Sequence, residues 1–315
     1  MPTSIQTDAW PPLPYAEWRE TYAALHLWTQ IVGKVRLAQT PWLNHSWQSP
    51  LYVTPRGLTT GVIPHGARAL ALDFDFVDHA LRLSTDVGTL AFPLEPMSVA
   101  DFYRRVTRAL VDLGVPVRIY AAPNEMPDAV PFADDRRQRP YNRGQAHRFF
   151  RVLLSADRVL KRFRTGFLGK ASPVHFFWGG FDLAATRFSG RRAPPHPGGI
   201  PNLPDAITRE AYSHEVSSAG FWPGGPGCEA PAFYSYAWPE PEGFSDAAVA
   251  PSAARYETTL GEFLLPYEAV RTAADPEGLL IEFLQSTYAA AADLGRWDRA
   301  ALECALGVPG RPRPV

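Results

Sequence analysis

At 315 residues the chain can bury one large core or two smaller ones. A hydrophobic fraction of 46% is that of a globular protein, and 31 basic against 32 acidic residues leave a net charge of −1, which excludes a global attraction to nucleic acid or to a membrane surface. Two cysteines, Cys228 and Cys304, are too few for a disulfide framework or a cysteine metal cluster. The first residues show no basic and apolar leader pattern, and no apolar run approaches membrane-spanning length, so a reducing cytoplasm is the expected home.

Residues 1–14 read as an extended N-terminal arm. Tyr15 to Gln39 reads as a helix, with Leu25, Trp28, Val32 and Val35 on one face. Tyr22, His26, Gln30 and Lys34 form a second, polar row at i, i+4 spacing. Such a row can line a cleft but more often lies in solvent. Thr40-Pro41 ends the helix, because the residue before proline avoids helical backbone. Trp42 and Trp47 then bracket Asn44 and His45. Strands are predicted at 51–54, 58–63, 69–76, 80–85 and 88–92, joined by turns short enough to make the sheet antiparallel.

Ser98 and Asp101 resemble a capping box, opening a helix that buries Phe102, Val106, Ala109, Leu110 and Leu113 and stops at Gly114. Val115 to Tyr120 reads as a further strand. Residues 121–140, rich in proline and aspartate, form a long irregular connection, a candidate subdomain boundary or lid. From about Asn142 to Leu168 runs a second long helix, with Phe149, Val152, Leu153, Val159, Leu160 and Phe163 on one arc and Arg148, Arg151, Arg158 and Arg162 on another. The arginine arc is read as a solvated face or as a contact for an acidic stretch such as Glu229–Asp246 before it is read as an anion site.

The chemistry concentrates between Ser172 and Gly225. Gly179-Gly180 suits a two-residue type I′ hairpin turn, which needs positive φ at both positions. That register pairs Phe177 with Asp182 and His175 with Ala184, and it puts His175 and Asp182 on one sheet face. His175, Asp182, His196, His214 and Glu215 are the candidate acid–base set, since a positioned imidazole beside a carboxylate is an ordinary general base. His175, His214 and Glu215 could alternatively hold a divalent metal ion, although no HExxH, HxH or CxxC spacing supports it. Arg187, Arg191 and Arg192 could clamp a carboxylate or phosphate, with Trp222 as an aromatic wall. No Walker loop, dinucleotide fingerprint or GxSxG elbow occurs.

Pro231 to Glu240 reads as a strand with aromatics at alternate positions, and Glu262 to Val270 as one more. Asp275 as N-cap and Pro276 at the first helical position open the last long helix, to about 294. Residues 307–315 read as a disordered tail. The expected fold is α+β, with mainly antiparallel sheets covered by helices at about 15–39, 98–113, 142–168 and 276–294.

HLWTQIVGKVRLAQTPWLNHSWQ, DFYRRVTRALVDLGVPVRIY, SPVHFFWGGFDLAATRFSGRRAPPHPGG and EAYSHEVSSAGFWPGG resemble a family of bacterial proteins catalogued only as a domain of unknown function. The resemblance runs from about Glu17 to Leu306. It implies a single family domain over 15–306 in a cytoplasmic bacterial protein, and it carries over no activity, cofactor or catalytic residue. The functional expectation therefore rests on the residues: an enzyme of hydrolase or lyase type acting on a small, anionic metabolite by acid–base or metal-assisted chemistry. The alternative is a non-catalytic protein that binds a small ligand or a partner. No nucleic-acid or membrane partner is expected.

Overall fold

The computed structural model describes residues 9–225 and 228–313, so most of the expected N-terminal arm lies outside the described residues. Helix α1 (Tyr15–Gln39) matches the expected span and is buried on nearly every side, Trp18, Trp28 and Ile31 being almost wholly enclosed. A first antiparallel sheet follows, built from β1 (Tyr52–Thr54), β2 (Gly57–Thr59), β3 (Ile63–His65), β4 (Arg68–Asp75), β5 (Ala80–Thr85) and β6 (Thr89–Pro93). Its order is β1-β2-β4-β5-β6, with β3 also paired to β4. A two-residue strand β7 (Met97–Ser98) leads into α2 (Val99–Asp112), whose N-cap Ser98 Oγ accepts from the Asp101 amide at 3.0 Å.

Val115–Tyr120 departs from expectation. Its side chains alternate between inward and outward, but Pro116 removes a donor and no neighbouring strand offers a ladder, so it packs as an extended segment outside both sheets. The irregular connection after it contains only β8 (Gln138–Arg139), paired with β7. Helix α3 (Arg143–Arg164) is capped by the Asn142 side chain and places Phe149, Val152 and Leu160 in the core.

The second sheet has six antiparallel strands in the order β13-β14-β12-β11-β10-β9: β9 (His175–Phe177), β10 (Asp182–Arg192), β11 (His214–Trp222), β12 (Ala232–Trp238), β13 (Arg255–Glu257) and β14 (Glu262–Pro266). The short helix α4 (Asp205–Ala211) lies between β10 and β11. Beyond β14 come α5 (Tyr267–Arg271), α6 (Pro276–Leu294, with Asp275 as its N-cap) and α7 (Arg299–Leu302). One core links the two sheets through α1 and α3, and Leu51 bridges directly to Phe176. The architecture is thus α+β with antiparallel sheets. The described part of the expected tail is not free: Gly307 N donates to Thr165 Oγ1 at 2.8 Å.

Strand parity gives the second sheet two unlike faces. Leu183, Ala185, Ala219, Phe221 and Phe233 enter the main core. Asp182, Ala184, Thr186, Ser218, Tyr234 and Tyr236 face the other way, and this second face forms the floor of a cavity.

Candidate functional site

The cavity encloses about 780 Å³, a volume suited to a small organic ligand. Its walls come from α1, the segments 120–125 and 42–49, the turn 178–180, and the stretch from Ile200 to Tyr212. Trp42 and Tyr120, 54% and 74% exposed, mark the mouth.

Asp182 opens β10 at the cavity floor and is 8% exposed. Tyr234 donates its hydroxyl proton to Asp182 Oδ2 from two strands away. The intervening residue is Gly220, where a Cβ would lie 2.5 Å from the Tyr234 hydroxyl and 2.2 Å from the Leu183 carbonyl oxygen. Only glycine lets the tyrosine cross β11. Burial lifts the Asp182 carboxyl to about 6, and the Tyr234 bond works against that rise.

Glu125 reaches the same place from the irregular connection. It adopts left-handed backbone, φ 61°, and its amide donates to the Pro201 carbonyl at 2.8 Å. Its carboxylate lies against the hairpin turn: a Cβ on Gly179 would sit 1.9 Å from Glu125 Oε1. A Cβ on Gly180 would lie 2.8 Å from Asp182 Oδ1 and 3.8 Å from Glu125 Oε2, so the two carboxyls flank one point. The enclosing protein atoms, and then the Asp182 charge, raise the Glu125 carboxyl to about 7, while Lys34 pulls it down. The Glu125 surface is open to the cavity, and water there screens the shift until a ligand displaces it. Behind the tyrosines, Glu262 has a buried Oε2 with no hydrogen-bond partner, and burial followed by the Asp182 charge raises its carboxyl to about 8.

The polar row of α1 holds this arrangement in place. It is buried, contrary to the solvated reading: Tyr22, His26, Gln30 and Lys34 are 6%, 8%, 0% and 3% exposed. Gln30 binds both backbone groups of Asn124, accepting from its amide at 2.8 Å and donating to its carbonyl at 3.0 Å. His26 Nε2 lies 2.7 Å from the Gly179 carbonyl oxygen, so the ring carries its proton on Nε2 and donates to the turn. Lys34 Nζ donates to Asn124 Oδ1 and lies 5.3 Å and 5.5 Å from the ring centroids of Tyr120 and Trp178. Burial lowers its ammonium to about 8, and Glu125 opposes that fall.

The predicted hairpin register is present, with Asp182 opposite Phe177 and Ala184 opposite His175. The turn type differs. Trp178–Phe181 form a four-residue turn in which Phe181, and neither glycine, has positive φ, at 58°. Both loops share one pairing, so the register survives the change. The glycines serve the close approach of two carboxylates instead.

Of the nine candidate site residues, Asp182 alone lines the cavity. His175 shares its sheet face but is shut away among Trp47, Tyr52 and Phe177, and burial together with the charges of Arg36 and Arg164 lowers it to about 3. His214 pairs with Arg192 at the far end of β10, on the order of 30 Å of strand from Asp182 at roughly 3.3 Å per residue. It meets the His45 ring there, at 5.8 Å. Glu215 accepts from Ser189 and forms an ion pair with Arg191 at 2.7 Å. His196 stacks behind Tyr212 at 4.8 Å, outside the cavity wall. The expected convergence of these histidines on Asp182 is therefore not present.

The arginine clamp is not present either. Arg187 has opposite parity to Thr186 and is buried over the ring of Phe163, 3.5 Å from its centroid. Arg191 also donates to the carbonyls of Gly295 and Arg296, and Arg192 is exposed. Trp222 packs on Tyr234 at 5.2 Å without lining the cavity. His175, His214 and Glu215 lie in three separate surroundings, and among the described residues no three His, Cys, Asp or Glu side chains form a metal-ligand set. The arginine arc of α3 pairs elsewhere than expected, Arg158 with Glu277 at 2.6 Å and Arg148 with Glu17 at 3.8 Å.

Sequence reasoning missed Glu125, Glu262, Tyr212, Tyr234 and Tyr236. Lys34 was visible only as part of the polar row. No described helix is long and apolar enough to cross a membrane. No curated protein and no solved structure matches the chain. A family model described as a family of unknown function (DUF5996) matches residues 10–304, nearly the whole length, and the chain belongs to that family.

Proposed function

We propose that the cavity is the active site of an enzyme acting on a small molecule by proton transfer, with Glu125 and Asp182 as the acid–base pair. One observation carries the reading: two carboxyls from distant parts of the chain flank a single point at the cavity floor, and both are raised toward neutrality. A carboxyl poised near the working pH can give and take a proton within one cycle. This serves hydrolase-type and lyase-type reactions alike. Tyr234 orients Asp182, and the aromatic walls would hold the substrate and displace water. His45 and Lys34 are the only basic side chains lining the described cavity, so the proposal no longer requires an anionic substrate.

The second reading is a non-catalytic carrier. It draws on the apolar cluster of Ala184, Tyr234 and Leu264 with Phe177, Trp222 and Tyr236 around the floor.

The test begins with a screen of small oxygenated compounds against the fluorescence of the cavity tryptophans, Trp42, Trp47 and Trp178. For a compound that binds and is turned over, Glu125→Gln and Asp182→Asn should each lower turnover by about 100-fold or more while binding persists. If every bound compound is recovered unchanged from the native protein, the carrier reading stands and the enzyme reading fails.

A further inference from the structure

Lys34 is the least expected group in the cavity wall. The chain has three lysines. Lys161 is held by Asp157 at 2.6 Å, and Lys170 is exposed beside the His45 ring at 2.7 Å. Lys34 is 3% exposed, lines the cavity, and among the described residues has no carboxylate in ion-pair contact. Its amino group is placed by one neutral acceptor, Asn124 Oδ1, and by the two ring faces of Tyr120 and Trp178. The next residue along, Glu125, carries the raised carboxyl. A structural lysine is normally neutralised or wet. This one is 3% exposed without an ion-pair partner among the described residues, and it opens onto space for a ligand beside a proton donor.

We propose that Lys34 is a nucleophile that forms a Schiff base with a carbonyl compound, so that the substrates are aldehydes or ketones. The proposal rests on the acid–base reading of Glu125 for its proton source. The neutral amine adds its lone pair to the carbonyl carbon. A C–N bond forms, the carbonyl π pair moves to oxygen, and the oxygen takes a proton from the Glu125 carboxyl. The nitrogen then returns a proton to the Glu125 carboxylate. The hydroxyl of the carbinolamine leaves as water, protonated by the same carboxyl, and the nitrogen lone pair closes the C=N bond. Amine and carbonyl give iminium and water, then imine once the carboxylate recovers its proton, with no oxidant or reductant consumed. The iminium draws electrons from the adjacent C–H or C–C bond, which is the requirement of lyase chemistry. Burial supports the step, because an amine lowered to about 8 is unprotonated for about a tenth of the time at neutral pH.

The experiment is reductive trapping. The full-length protein is incubated near neutral pH with propanal or with pyruvate in the presence of cyanoborohydride, and the adducts are mapped by peptide mass spectrometry. Lys34 should be modified about tenfold or more faster than Lys161 and Lys170 by at least one probe, because its amine opens onto the ligand cavity beside an acid and theirs do not. Lys34→Arg should remove that adduct and leave the slow background. Modification of Lys34 no faster than the other two lysines with both probes would overturn the proposal, a comparison that needs no variant to fold. The outcome is separable from the reading beneath it. Trapping at Lys34 in a protein whose Glu125 and Asp182 titrate normally would uphold the nucleophile and sink the carboxyl pair. Raised carboxyls without trapping would do the reverse.

Discussion

His175 is a neutral imidazole with no hydrogen-bond partner for either ring nitrogen among the described residues, enclosed by three aromatic rings. An orphaned buried polar group is destabilising. His175→Phe should therefore raise stability at pH 7 by about 1 kcal/mol and leave ligand binding in the cavity intact, as urea unfolding and tryptophan fluorescence would show. The sign of the pH effect follows from the depressed folded value. The histidine favours the folded state fully above its ordinary 6.5, and that contribution is lost as pH falls toward about 3. The phenylalanine variant should lose this part of the acid sensitivity. A variant that unfolds, or that no longer binds, would show that the imidazole has a partner or a role the packing does not reveal.

At the scale of elements, the site depends on α1 gripping the connection that carries Glu125. Gln30 is the main fastener, since its amide satisfies both backbone groups of Asn124 in a fully buried setting. Gln30→Ala should cost about 2–3 kcal/mol through two lost hydrogen bonds and the stranded backbone groups. Amide exchange should accelerate at 121–126 more than in α2 or α3; uniform acceleration would place the loss in the whole fold. The helices and hairpins behind this arrangement were legible because apolar period, caps and short turns act locally: Ser98, Asp275 and the 177–182 pairing are all where their neighbours in sequence put them. Val115–Tyr120 has the strand pattern too, but a ladder requires a partner, and partners are not a local property. The polar row of α1 was legible as a row. Its burial was not, because the segment that covers it lies some ninety residues away in sequence.

At the scale of the whole molecule, the functional face is assembled from residues that carry no motif. Glu125 sits in an irregular loop, Asp182 after a glycine pair, and Tyr234 in a strand whose aromatics read equally well as core. Only the tertiary fold brings them together, and only the space left by Gly179 and Gly220 lets them approach. The histidines looked catalytic because titratable residues among glycine, proline and aromatics commonly are. Here His175 fills the back of the floor and His196 supports Tyr212. A raised carboxyl favours the folded state most below its ordinary pKa, and that contribution fades as pH rises through the folded value, so Asp182 and Glu125 at the cavity and Glu262 behind it make the folded state less favourable as pH rises between about 4 and about 8. The most direct measurement is a titration of these side chains by ¹³C-carboxyl NMR or infrared difference spectroscopy, with Glu125→Gln and Asp182→Asn to assign the signals. Burial predicts that Asp182 keeps its proton until about pH 6, and that Glu125, whose rise the water in the open cavity screens, approaches about pH 7 once a bound compound displaces that water. If both signals show full ionisation by about pH 5, as ordinary carboxylates do, the acid–base site is contradicted.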